Sequence, residues 1–86
     1  RWRGAAEVDK RQADSLLDWI EDDGHRFVGM DVAQKQDDGN WTLLADRLDL
    51  TRQTENFEAV RMGRVFLTEY DGDGRMFEPV WQDRAR

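Results

Sequence analysis

Apolar residues recur at a helical period near the start of the chain. Four of them fall at positions i, i+3, i+4 and i+7, namely Ala13, Leu16, Leu17 and Ile20. Charged residues occupy the other side, so the pattern predicts an amphipathic helix over residues 5–23. We interpret Gly24 as the left-handed residue just beyond this helix. Acidic residues at 21–23 face the negative end of the helix dipole, so we expect either salt screening and a turn there, or an arginine or external cation nearby.

Strand patterns follow the helix. Four stretches combine strand-forming residues with alternating apolar positions: residues 25–35, 41–48, 64–70 and 75–81. The pair Asp38-Gly39 predicts a hairpin turn between the first two stretches. Residues 64–70 show the clearest strand pattern, and residues 75–81 are expected to pair with them. Because Pro79 has no N–H donor, we expect the last strand to lie at a sheet edge.

Residues 51–63 fit two structures. Thr51 as the N-cap and Gly63 as the terminating residue would make them a helix. A polar loop followed by a strand from Phe57 fits as well, and we favour it. A repeated G-x-x-F pattern at Gly24 and Gly63 supports the helix, because it would make the chain a duplicated helix and hairpin.

These patterns predict an α+β fold. The chain has 86 residues, which suits one small domain. We expect the N-terminal helix to pack on an antiparallel sheet of about four strands, with a duplicated αββαββ arrangement as the alternative. The chain begins at Arg1 and not at Met, which favours a domain excised or processed from a longer protein.

Composition and charge narrow the possible functions. The net charge is −6, so binding to a phosphate backbone is disfavoured. The chain contains no cysteine, which excludes disulfides and thiolate metal sites. No long apolar run predicts a membrane span, and no signal peptide is visible, so we expect a cytoplasmic protein without membrane contact.

The stretch "EYDGDGR" at residues 69–75 resembles a calcium loop only superficially. An EF-hand loop needs glycine at its sixth position and an acid at its twelfth. Counted from Asp71, these positions hold Met76 and Gln82. The stretch therefore predicts a hairpin turn, and we expect neither a metal site nor a cofactor.

His25 is the single histidine of the chain. It could act as an acid or base beside Asp22 or Asp23, provided that it lies in a pocket. The one serine, Ser15, lies inside the predicted helix without the glycines of a nucleophile elbow. We therefore expect a protein that is not an enzyme.

A sheet covered by a helix on one side leaves a face and an edge uncovered. We therefore predict a protein-binding module, or a small subunit of a larger assembly, that binds a partner protein or itself through that surface. Tryptophan and arginine are the residues that most often anchor interfaces. The predicted anchors are Trp41, Trp81, Arg64 and Arg75.

Two aspartate-rich turns support an alternative function. In an antiparallel meander both turns would emerge at one end of the sheet, about 10 Å apart, as an acidic rim. Such a rim favours an inhibitor or nucleic-acid mimic that binds a basic protein. Its residues are Asp37, Asp38, Asp71 and Asp73.

Overall fold

The computed structural model describes residues 2–5 and 7–84. In chain order the elements are β1 (Trp2–Gly4), α1 (Lys10–Asp22), β2 (Arg26–Lys35), β3 (Trp41–Asp49), α2 (Asn56–Tyr70) and β4 (Arg75–Gln82). The strands form one antiparallel sheet in the order β1-β4-β2-β3. The predicted α+β fold with a four-stranded antiparallel sheet is confirmed. The alternative αββαββ order is wrong, since the chain runs βαββαβ.

The sheet combines two βαβ units, β1-α1-β2 and β3-α2-β4, whose strands alternate in the centre of the sheet. Strands β1 and β2 both run antiparallel to β4, so they are parallel to each other with β4 between them. Strands β3 and β4 are likewise parallel, with β2 between them. Each half therefore fills the gap in the other, and neither half could form its sheet alone.

Helix α1 is shorter at its start than the apolar pattern predicts. Asp9 is its N-cap: the Asp9 carboxylate accepts from the Gln12 N–H at 2.7 Å, and the Gln12 side chain accepts from the Asp9 N–H at 3.0 Å. This capping box sets the start of the helix at Lys10. At the other end Gly24 has φ +75°, the left-handed conformation that the sequence predicts.

Residues 64–70 lie in helix α2, so the strand predicted for them is wrong. The residues that α2 buries lie at helical spacing: Ala59, Val60, Gly63, Phe66 and Leu67. The helix begins at Asn56 and not after Thr51, because the Asn56 side chain is bonded to strand β2. It accepts from the Phe27 N–H at 2.9 Å and donates to the His25 carbonyl at 2.8 Å. Gly63 lies inside α2 whereas Gly24 follows α1, so the two glycines are not equivalent.

The two glycine-containing turns differ from each other. Asp38-Gly39 forms the predicted hairpin between β2 and β3, with Gly39 at φ +89°. The stretch "EYDGDGR" does turn, but it joins helix α2 to strand β4 and is not a hairpin. Its turn is closed by the Arg75 N–H, which donates to the Gly72 carbonyl at 3.1 Å, and Gly74 has φ +71°.

Strand β4 lies inside the sheet, so the edge position predicted from Pro79 is wrong. The Pro79 carbonyl accepts from the Ala5 N–H at 3.1 Å, so the proline nitrogen also faces the β1 side. Strand β1 ends at Gly4, and Val8 further along the chain forms an isolated bridge with Phe77. The missing N–H thus lies on the side of the short strand β1 and not on the side of β2.

Both helices pack on the same face of the sheet. The core between them and the sheet is made of Ala13, Leu17, Ile20, Phe27, Met30, Val32, Leu50, Ala59, Val60, Phe66, Leu67, Phe77 and Trp81. Within the described residues, neither helix is both long and apolar enough to cross a membrane. No helix or strand among the described residues covers the opposite face of the sheet.

Candidate functional site

The uncovered face of the sheet consists of the residues that alternate with the core positions. On β2 and β4 the core positions include Val32 and Phe77, so their neighbours point the other way. Strand register then aligns three rows across the sheet. The rows are Met76–Ala33–Leu43, Glu78–Asp31–Arg47 and Val80–Gly29–Asp49. We call this surface the open face.

Apolar side chains flank the charged row of the open face. Leu43 on one side and Trp2 on the other are each 57% exposed. Trp2, Val28 and Val80 line a shallow cleft of about 330 Å³ that Asp31 and Arg47 border as well. Trp2 and Leu43 lie on the two edge strands, β1 and β3, so exposed apolar groups border the uncovered face on both sides. Such exposed apolar groups are typical of a surface that contacts another molecule.

The charged row is electrostatically unbalanced. Arg47 Nε lies 3.3 Å from Asp31 Oδ1. Asp31 is also directly opposite Glu78, which places two like charges on neighbouring strands. Burial, followed by the charges of Asp31 and Glu7, raises the pKa of the Glu78 carboxyl above its ordinary value. In the part of the chain that the structure describes, no Lys, Arg or His nitrogen lies within 4.0 Å of the Glu78 carboxylate.

The structure does not bring the four predicted anchors together. Trp41 lies at the start of β3 on the open face, where it pairs with Lys35 and the Lys35 ammonium lies 5.9 Å from its ring centroid. Trp81 is 8% exposed and lies in the core on the opposite face. There it meets Trp19 edge to face at 5.6 Å.

The two predicted arginine anchors bind within the chain. Arg64 on α2 bonds Asp14 at 2.8 Å and also bonds Asp18, so it links the two helices. These bonds to Asp18 and Asp14 raise the pKa of the Arg64 guanidinium. Arg75 donates to the Gln34 side chain at 2.6 Å and to the Tyr70 carbonyl at 3.1 Å. Neither arginine lies on the open face.

Sequence reasoning missed most of the open face. Trp2, Asp31, Leu43 and Glu78 were not among the predicted site residues. The alternation of Phe77, Pro79 and Trp81 with polar Glu78 carries a signal for β4, since it separates the two faces. The pairing of Glu78 with Asp31 depends on strand register, which no local pattern reveals.

The two aspartate-rich loops do lie side by side. The Lys35 N–H donates to the Gly74 carbonyl at 2.9 Å, and the Gln34 side chain donates to the Asp73 carbonyl at 3.1 Å. The cause is the pairing of the end of β2 with the start of β4, and not a meander. All four aspartates of the rim are exposed: Asp37, Asp38, Asp71 and Asp73. Asp38 also accepts from the Asn40 N–H at 2.9 Å, which shapes the hairpin.

His25 lies in a cleft of about 460 Å³ at the end of α1. Its Nδ1 accepts from the Arg84 N–H at 3.0 Å, so the ring proton is on Nε2, which lies 2.8 Å from Asp23 Oδ2. The ring also packs on Trp19, with centroids 4.7 Å apart. Both ring nitrogens thus face groups of the protein itself. Asp23 at the acidic helix end lies beside His25, one of the two neighbouring acids that the sequence interpretation names.

Among the described residues, no three His, Cys, Asp or Glu side chains are grouped so that they could hold a metal ion. The open face is therefore the best candidate site, with apolar contacts around a charged row. Comparison of the chain with protein-family models, with curated proteins and with solved structures finds no match.

Proposed function

We propose that this domain is a protein-binding module that buries its open face against a partner protein. The observation that supports the proposal is that both helices pack on one face, while the other exposes Trp2 and Leu43 around a central charged row. Burying apolar surface drives association, and a few large side chains contribute most of the binding energy. Trp41 extends the same surface at its end.

The charge of the chain favours a protein partner over nucleic acid. A net charge of −6 repels phosphates, and the open face itself contains Asp31 and Glu78. Association of two copies is opposed by the same like charges. A separate protein with a complementary surface fits both constraints.

Site-specific photocrosslinking tests the proposal in the native host. A benzophenone side chain is placed at Leu43 on the open face or, as the matched control, at Val65, which is 53% exposed on α2. We expect one defined protein to be crosslinked from Leu43 and not from Val65. Crosslinking of that protein from Val65 alone would contradict the proposal.

Binding of the purified partner then measures the contribution of the open face. Leu43→Ala and Trp2→Ala are each expected to weaken binding by about tenfold, because each removes a large exposed apolar side chain of the open face. Val65→Ala is the control and is expected to leave the affinity unchanged. Folding of each variant is checked by circular dichroism. Unchanged affinity in both open-face variants would show that the partner binds elsewhere.

A second candidate function uses the acidic rim to bind a basic protein. The observation that favours it is the pair of hydrogen bonds that hold the two aspartate-rich loops together. Binding through the rim would weaken steeply with salt and with the change of Asp37, Asp38, Asp71 and Asp73 to Asn. An affinity that is the same at low and high salt would exclude this candidate.

A further inference from the structure

The open face has a banded pattern along its strands. The charged row Glu78–Asp31–Arg47 lies between the apolar row of Met76, Ala33 and Leu43 and the apolar group of Trp2, Val28 and Val80. On the two central strands, β2 and β4, successive rows are two residues apart, which is about 7 Å along a strand. On β3 an irregularity in the pairing places Leu43 and Arg47 four residues apart. A partner strand that packs on this face with nearly aligned direction has side chains at the same spacing.

The centre of this pattern carries more negative than positive charge. Asp31 forms an ion pair with Arg47, whose side chain is 71% exposed. Glu78 forms no ion pair with any cation among the described residues. Glu7 adds a third negative charge near Glu78, and its effect is one cause of the raised pKa of that carboxyl. A cation placed between Asp31 and Glu78 would relieve the repulsion between them.

The occupant of the face follows from this charge. A second copy of the chain would bring the same acidic row and a further net charge of −6. A partner with a basic side chain between two apolar ones would complement all three bands at once. Apolar contacts would supply affinity, and the cation would fix register and orientation.

We infer that the partner presents an extended segment with the pattern apolar-x-Lys/Arg-x-apolar, whose cation lies between Asp31 and Glu78. This inference rests on the proposed function, because it names the ligand of the same open face. Asp31 and Glu78 would then determine the specificity of the open face. The acidic rim differs from the open face because apolar rows do not lie on both sides of it.

Nuclear magnetic resonance titration with three matched peptides tests the inference. The probes are acetylated and amidated Thr-Val-Thr-Lys-Thr-Val-Thr and the same peptide with norleucine or glutamate at its centre. We expect the lysine peptide to shift amide signals of β2 and β4, with a Kd about fivefold or more below that of the norleucine peptide. The glutamate peptide is expected to bind more weakly than either.

Variants locate the source of the preference. Glu78→Gln removes one charge with little change of shape and is expected to abolish the preference for lysine over norleucine. Glu69→Gln, on the exposed side of α2, is the matched control and is expected to retain it. A dispersed spectrum of each variant shows that it is folded.

The outcomes separate the inference from the proposed function. Equal affinity for the lysine and norleucine peptides, with shifts on the open face, would overturn the inference while supporting the face as a docking surface. A lysine preference that survives Glu78→Gln would also overturn it. Shifts confined to the acidic rim, or no shift on the open face with any peptide, would count against both.

Discussion

At the scale of single residues, His25 connects the end of helix α1 to the segment that follows strand β4. Its Nδ1 accepts from the N–H of Arg84, just beyond β4. Its other nitrogen lies 2.8 Å from the Asp23 carboxylate. The histidine is 8% exposed, so water has little access to the ring. The side chain that looked like a candidate for catalysis therefore has a structural role in this fold.

His25→Ala is expected to lower the free energy of unfolding by about 1–3 kcal/mol, because it removes a nearly buried ring that packs on Trp19 and accepts a hydrogen bond from the Arg84 N–H. Urea denaturation measures the loss, and amide hydrogen exchange at Arg84 is expected to become faster. The control is Arg11→Ala on the exposed side of α1, where little change is expected. Unchanged exchange at Arg84 would contradict the role assigned to His25.

Gly63 allows helix α2 to approach the sheet. A Cβ at this position would lie 2.7 Å from Phe27 Cε2 and 3.2 Å from Leu17 Cδ1. Phe27 is fully buried and has no room to move. The absence of a side chain is thus required by packing, although glycine is a poor helix former.

Gly63→Ala is accordingly expected to destabilise the domain by about 1–3 kcal/mol through overpacking, which exceeds the gain of about 1 kcal/mol in helix propensity. Thermal and urea denaturation check the sign. Gly72→Ala is the matched control, since its Cβ would meet nothing closer than Arg75 Cγ at 3.7 Å. A stabilised Gly63→Ala protein would show that α2 does not pack as described.

At the scale of elements, the two helices are joined across their exposed side by Arg64. This residue bonds both Asp14 and Asp18 of α1, one turn apart. Two aspartates on the polar side of α1 are therefore paired with an arginine of α2, and not with a residue of their own helix. The arrangement orients α2 on the sheet, in addition to the apolar contacts beneath it.

A double-mutant cycle of Arg64→Gln and Asp18→Asn is expected to give a coupling energy of about 0.5–1 kcal/mol, near the upper end for exposed pairs because the guanidinium bonds two carboxylates. The coupling should decrease with added salt. The pair of Glu58 and Arg61 within α2 provides the comparison, with a smaller coupling expected. A coupling of zero at low salt would mean that the pair does not orient the helices.

At the scale of the whole molecule, the open face carries a charge arrangement that opposes folding. Glu78 faces Asp31 from β2 and Glu7 from the segment after β1, while Arg47 on β3 is bonded to Asp31. Burial and these charges raise the pKa of Glu78 from its ordinary value of 4.5. A free domain is therefore less stable than its core would permit, which is common where a surface is shaped for binding.

The raised pKa of Glu78 determines how the stability of the domain changes with pH. The folded protein holds the Glu78 proton to higher pH than the unfolded chain, so the stability contributed by protonation is present at low pH and lost as pH rises through the folded pKa. Glu78→Gln is expected to lose less stability than the wild type between about pH 4 and pH 6 and to be the more stable protein at pH 7. Urea denaturation across this range measures both effects, with Glu69→Gln as the control. A parallel pH profile for the two proteins would contradict the assignment.

Local patterns predicted the elements whose residues contact their own neighbours in the chain. The stripe from Ala13 to Ile20 predicted α1, and Asp38-Gly39 predicted the hairpin of β2 and β3. The prediction failed for residues 64–70, because the short apolar run in "RVFL" is compatible with both the helical and the strand period. The helix is favoured there because Gly63 and Leu67 pack towards the sheet, which is a contact between distant segments of the chain.

The sequence by itself determined the α+β class, the helical stripe of α1, the turns at the glycines and the acidic character of the molecule. Only the tertiary structure decided that both helices share one face, that β4 lies inside the sheet and that Asp31 meets Glu78 on the face left open. The reason is physical: periodicity and turn chemistry act over a few residues, whereas strand order and register are set by the joint burial of apolar groups from the whole chain. The candidate site depends on strand order and register, because its residues come from all four strands of the sheet.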